Sequence, residues 1–354
     1  MFLFCHVERL SHEVDRPSLS GGDTMEVPQV FRKSSNLSGR LNPVRATTRV
    51  FLFAAVISIM LLPGAVSQTA EPRPGHGVIL GVLEDLPGNY AGQPNFRAVR
   101  VMFEWRNGHW SAFPNDARDP ADLRSFTRFY PKQVTWTVAF HSENLGQVSS
   151  QAPAEFDFYS EVGIEKISGA GRVPTVGSRS EAFSGYGGAP VYRPLVAVSQ
   201  PNYFDPQHWR RIKPTPKLLS SARLLFRKRF PRVSNCRNPD ENRPEPWEYR
   251  DGDIQDGETY ASDGGWRLVE LHLPNWSCDG PTEDGGPFDS QWYVANPSGR
   301  LRFLGSGMQF VDAGDYDGTG TSDVLFQVAG DNRGGYRLYY QNFGGHADFT
   351  FNYH

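Results

Sequence analysis

From Gly77 onward, apolar residues recur at every second position in short runs bounded by turn residues, which is the pattern of half-buried strands. Val99, Val101, Phe103 and Trp105 alternate, Asn107 and Gly108 supply a two-residue hairpin turn, and residues 109–113 return. Val134, Trp136, Val138 and Phe140 alternate against Thr135, Thr137 and Ala139, and a turn is expected over 143–146. Val269, Leu271 and Leu273 line one face of a further strand. Strands are then expected over 291–295, 301–304, 324–328 and 336–340, with turns at 296–299 and 331–335 and a closing alternation at Phe349, Phe351 and Tyr353. One stretch changes period. Thr215 is placed to cap a helix, Pro216 suits its first turn, and Leu219, Ala222, Phe226 and Phe230 share one face. The other face carries Lys217, Arg223, Arg227 and Lys228, and it reads either as a solvated face or as a surface for an anionic membrane or acidic partner. The expected fold is mostly β and antiparallel, with one amphipathic helix.

The first part of the chain follows another rule. Residues 1–49 are polar, without a sustained period, and read as a disordered lead. Residues 50–62 are apolar and uncharged, preceded by Arg45 and Arg49 and followed by a small-residue exit at 63–67. That arrangement predicts a signal peptide cleaved after Ser67, exporting residues 68–354 to the periplasm, the cell surface or the medium. The competing reading keeps 50–66 as an uncleaved single-pass anchor with the domain outside the cytoplasm. A formal charge of −3 gives no footprint for nucleic acid, whose phosphates need a basic surface. Three cysteines are present. Cys5 falls in the lead, so an exported domain retains Cys236 and Cys278, expected as a disulfide in an oxidising compartment, with two separate buried thiols as the other reading.

The chemistry concentrates in residues 312–323. Asp315, Asp317, Thr319, Thr321 and Asp323 fall on alternate residues, with Gly318 and Gly320 between them. Oxygen donors at this spacing suit a hard cation, and glycines let the backbone bend so that the oxygens converge. Without histidine or cysteine in the loop, calcium or magnesium fits better than zinc or copper. Thr319 stands where a carboxylate would bind more strongly, so the expected role is structural, with an affinity of about 10⁻⁴ to 10⁻³ M. A plain polar turn is the alternative, since Asp and Gly favour turns on their own account.

This loop, running on into Val324-Leu325-Phe326, resembles the Asp-x-Asp-Gly-x-Gly-x-x-Asp element of FG-GAP/VCBS-type repeats over one unit, residues 291–343. The resemblance implies a propeller-like fold of four-stranded blades and one bound Ca²⁺ held by the five residues named. A second candidate for binding is the Gly-rich run 184–193, where Tyr186, Tyr192 and Arg193 offer aromatic and cationic contacts, or else pack an ordinary surface loop.

Catalytic motifs are missing from the sequence: no Gly-x-Ser-x-Gly elbow, no His-Glu-x-x-His and no phosphate loop. Asp251 with Asp253, and Glu283 with Asp284, are carboxylate pairs of the type glycoside hydrolysis needs, but only a cleft would make them an acid and a base. The expected function is therefore binding or surface interaction, with a protein or glycan ligand. A polysaccharide-directed extracytoplasmic hydrolase and a membrane-tethered envelope protein are the alternatives.

Overall fold

In the computed structural model, the strands within 78–198 close on themselves. Strands β1 (Val78–Leu86), β2 (Phe96–Arg106), β3 (His109–Ala112), β4 (Gln133–Phe140), β5 (Glu143–Gln151), β6 (Ile164–Ser168) and β7 (Leu195–Val198) run in the order β1-β7-β4-β5-β6-β2-β3. β1 also pairs with β2, so six of the seven form a closed antiparallel barrel and β3 hangs from its side. Closure removes the free edges of the sheet. The described residues are 77–86, 94–169, 171–180, 183, 190–201, 204–235, 245–274, 286–330 and 332–352, all within the unit Gln68–His354. The lead 1–49, the apolar segment 50–67, Cys236, Cys278 and Tyr186 lie outside them.

The turns follow backbone chemistry. Asn107 and Gly108 take φ of 52° and 81°, as a two-residue hairpin between β2 and β3 requires. The β4–β5 hairpin turns at His141 and Ser142, with φ of 48° and 67°, two residues earlier than expected from sequence. Gly146 sits instead within β5, opposite Val138 beside a register shift. A second shift lies between Leu80 and Gly81 on β1. A Cβ at Gly81 would stand 2.7 Å from the Arg100 carbonyl oxygen and 3.0 Å from Val99 Cγ1, with the Trp136 ring at 3.4 Å. Gly81→Val is therefore expected to destabilise the barrel by about 1–3 kcal/mol, read as a lower urea midpoint, whereas Gly108→Ala has room for its methyl and strains only φ.

Helix α1 (Pro120–Phe126) crosses between β3 and β4 and buries Leu123. Sequence reading missed it, although Asp119 before Pro120 is an N-cap signal: its carboxylate accepts from the N–H groups of Ala121 and Asp122 at 2.7 and 2.9 Å. After β8 (Arg210–Arg211) comes the predicted helix, α2 (Pro216–Arg229), capped by Thr215 and burying Ala222 and Phe226. Two of its cations have protein partners: Arg227 pairs with Asp251 at 2.9 Å and Arg223 donates to the Ile254 carbonyl at 3.1 Å. A short pair, β9 (Val233–Asn235) and β10 (Glu245–Trp247), follows.

Two consecutive meanders complete the chain. β11 (Gln255–Ala261), β12 (Arg267–His272), β13 (Gln291–Ala295) and β14 (Leu301–Ser306) form a five-stranded sheet with β8. β15 (Met308–Gly314), β16 (Asp323–Gly330), β17 (Arg333–Tyr340) and β18 (Gly345–Asn352) form a four-stranded one. Strand alternation sorts their side chains into layers. Leu325, Leu338 and Phe349 pack with the barrel core, while Val324 and Phe326 pack with Leu268, Trp292 and Val294 of the five-stranded sheet. On that sheet's other face, Val269, Leu271 and Tyr293 pack with Ala222 and Phe226 of α2. The order is thus barrel, four-stranded sheet, five-stranded sheet, helix. The expected β content and antiparallel pairing are present. The expected propeller-like arrangement is not what residues 78–198 form, because β1 pairs on both sides and commits them to closure.

Candidate metal centre

The loop between β15 and β16, the first two strands of the four-stranded sheet, holds four of the predicted ligand residues, and the fifth, Asp323, is the first residue of β16. Asp315 leaves β15 at 3 % exposure, and Asp323 opens β16 fully buried. Gly318 and Gly320 take φ of 74° and 84°, the left-handed region that glycine enters without penalty. These bends fold the loop back on its own carboxylates. Asp315 Oδ2 accepts the Gly320 N–H at 3.0 Å, and Asp317 Oδ1 accepts the Thr319 N–H at 2.9 Å. The Thr319 and Thr321 hydroxyls bond to each other at 3.1 Å.

Contacts distant in sequence brace this loop. Gln200 Nε2 donates to the carbonyls of Asp315 and Tyr316 at 3.3 and 3.0 Å, and the Asp315 N–H donates to the Phe204 carbonyl at 2.9 Å. Trp110 Nε1, on β3 of the barrel, donates to Asp323 Oδ2 at 3.1 Å. Asp205 accepts from the N–H groups of Gln207 and Trp209 and from the Ser322 hydroxyl, fixing the segment beside the loop. None of these partners was visible in the ligand spacing, since Trp110 precedes Asp323 by 213 residues.

Two oxygens remain. Asp315 Oδ1 and Asp323 Oδ1 are buried and accept no hydrogen bond. Burial, with the Asp317 carboxyl adding to it, raises the Asp315 carboxyl to about 6. Burial likewise pushes Asp323 well above the usual carboxylate range, with Asp317 and Asp315 adding to the shift and the Trp110 N–H opposing it. Buried carboxylates that lack a counter-charge fit a cation better than they fit a bare turn, whose side chains would face water. Among the described residues, however, no three His, Cys, Asp or Glu side chains stand together as a ready-made metal cluster. Thr319 and Thr321, exposed and half-buried, bond to each other rather than pointing to a common centre. The donor set is hard oxygen throughout, suited to a weak calcium-type site.

The second predicted site divides. Tyr186 lies outside the described residues. The Tyr192 ring lies 5.5 Å from the Arg97 guanidinium and 4.8 Å from that of Arg179, and the Tyr192 backbone N–H donates to Asp85. Arg193 is turned inward: Nη2 donates to the Phe310 and Val311 carbonyls at 2.9 and 2.7 Å, and the guanidinium lies near the rings of Phe140 and Phe183. Arg193 thereby ties the end of the barrel segment to β15. Of the carboxylates considered for hydrolysis, Asp251 pairs with Arg227 and Asp253 accepts the Arg250 N–H at 2.6 Å, while Glu283 and Asp284 lie outside the described residues.

Comparison of the chain with models of known families, with curated proteins and with solved structures returns no match.

Proposed function

We propose that this chain is an exported β-rich binding protein whose β15–β16 loop is a structural calcium site. The observation that carries the cation is the pair of buried, unpartnered oxygens, Asp315 Oδ1 and Asp323 Oδ1. Asp315, Asp317 and Asp323 would hold it through carboxylates, and Thr319 and Thr321 would complete the shell with hydroxyl or carbonyl oxygens. A bound ion would supply charge compensation to the carboxylates at the end of β15 and the start of β16, two adjacent strands of the four-stranded sheet. Export is read from the apolar segment 50–67, and binding from the absence of a catalytic motif in the sequence. The FG-GAP/VCBS-like reading draws its support from the β15–β18 meander, which is blade-sized and carries the loop between its first two strands. Propeller-like packing enters only through the stacking of that meander on β11–β14 across Trp292 and Phe326.

The test is the thermal midpoint in EDTA and in excess calcium. An ion that binds only the folded state stabilises it by about 2.7 kcal/mol at one hundred times its Kd. The parent chain is expected to respond and the Asp315→Asn, Asp317→Asn double variant is not. Equal midpoints for the parent chain in both conditions would make the loop an ordinary turn.

A further inference from the structure

A crevice of about 1070 Å³ opens where the barrel and the two sheets meet, away from residues 315–323. Its lining is unbalanced in charge. Eight carboxylates face it against two cationic side chains, Arg100 and Lys166. Arg100 is already matched, since its Nε donates to Glu84 at 3.0 Å and its Nη1 to the Ser160 and Val162 carbonyls. Asp85 and Glu258 also have cations, Arg179 at 2.8 Å and Arg211 at 3.2 Å. Among the described residues, the other five have no cationic partner. Glu155, Asp157 and Glu161 come from the segment before β6, and Glu270 and Asp289 from the five-stranded sheet side. Glu161, Glu270 and Asp289 accept only neutral N–H or O–H donors. Two acidic banks thus belong to two different parts of the fold, with Lys166 as the uncommitted positive group among the lining residues.

Two further observations point to an occupant. Asp85 lines the crevice with its side chain 1 % exposed, yet its Oδ1 accepts no hydrogen bond. Its Oδ2 is held by Arg179 and the Tyr192 N–H, so Oδ1, next to a cavity, is the acceptor that a bound N–H donor would satisfy. The lining also shows large aromatic surface to solvent: Phe158 is 57 % and Phe96 40 % exposed. Phe351, in the same lining, already carries the Arg100 guanidinium over its ring at 4.0 Å, so the crevice contains one example of an aromatic face holding a cation.

We infer that this crevice binds an organic polycation, with two or more ammonium or guanidinium groups on an apolar stem that lies against Phe158 and Phe96. That is the chemistry of a basic peptide segment and of a linear polyamine alike. The volume suits it, being at the upper end of small-ligand sites and larger than a single amine requires. A glycan would use the aromatic faces but would leave the five carboxylates of the lining without a counter-charge. The inference names a ligand class for the binding reading given above and rests on that reading, but it does not involve the calcium loop.

The experiment is calorimetric titration of the full chain, at physiological ionic strength, with three probes: a blocked hexapeptide alternating Lys and Leu, its Glu and Leu counterpart, and a linear tetra-amine. Saturable binding of the basic peptide, the tetra-amine or both is expected, with none of the acidic peptide. The Glu155→Gln, Asp157→Asn double variant is expected to weaken binding at least about tenfold. Phe158→Ala is expected to weaken it severalfold with an unchanged thermal midpoint, because both changes lie at exposed positions. Peptide alone would identify a protein partner, and tetra-amine alone a free polyamine. Affinity that ignores both variants, or that is equal for the two peptides, would overturn the proposal, as diffuse surface attraction is screened by salt and has no use for Phe158. Repeating the titration in EDTA separates the two readings, since loss of the calcium response leaves this result untouched.

Discussion

In EDTA at pH 7, Asp323→Asn is expected to unfold at a higher temperature than the parent chain. Asp323 is fully buried, and one of its oxygens has no donor. Without a cation the folded chain must either keep a desolvated charge or hold a proton that the unfolded chain would release, and both oppose folding. Asparagine keeps an oxygen for the Trp110 N–H and removes the charge. The gain is expected to be about 2–4 kcal/mol, visible as a shift of several degrees. Calcium should raise the parent and leave the variant where it is, closing the gap. A variant less stable than the parent in EDTA would mean that the carboxylate is held by neutral contacts, and the cation would then lose its main support. The sign is what makes the measurement informative, since removing a group with only structural hydrogen bonds lowers stability in every buffer.

The second large effect lies inside the barrel. Glu165, on β6, is fully buried without an ion pair; Oε2 accepts from the Ser150 hydroxyl, which in turn accepts from Trp136 Nε1, and Oε1 accepts nothing. Burial raises this carboxyl to about 7, the Ser150 bond opposing it, from an ordinary value of 4.5. With the folded value above the unfolded one, the folded chain holds the extra proton between those pH values. Stability contributed by the neutral form is therefore full below about 4.5 and is lost as pH rises towards 7. Glu165→Gln is expected to remove this slope and, above pH 7, to stabilise the chain by up to about 3 kcal/mol. Urea midpoints at pH 5 and pH 8 test it. The variant should differ from the parent strongly at pH 8 and little at pH 5. Equal differences at both would mean that Glu165 does not titrate there. Glutamine retains an acceptor for Ser150, so the comparison isolates the proton.

Much of the local structure was legible. β2 and β4 announce themselves by alternation, β13 and β16 by short apolar runs between turn residues, and α2 by its Thr215 cap and apolar spacing. β1 did not, because it is buried from Ile79 to Glu84 on both faces and so does not alternate. β5 was hidden for the opposite reason. Its Ser150 faces the barrel interior, where Glu165 gives it a polar partner, and its turn uses His141 and Ser142 rather than the Asn and Gly expected of such hairpins. The ligand spacing at 315–323 was likewise plain, whereas Trp110, Gln200 and Asp205 carried no signal, and the charged crevice was invisible because its two acidic banks come from separate parts of the chain.

The sequence by itself determined the predominance of strands, the capped helix, the glycine bends of the loop and the hard-oxygen chemistry gathered there. These are local properties, set by side-chain period and by which φ a residue tolerates. Only the tertiary structure decided that β1 pairs with both β2 and β7, turning a run of hairpins into a barrel. It alone decided that Asp315 and Asp323 lose their water and that Glu165 ends beneath Trp136 and Ser150. Pairing partners and desolvation depend on residues that meet across long stretches of chain, and alternation records which face of a strand is buried without recording against what.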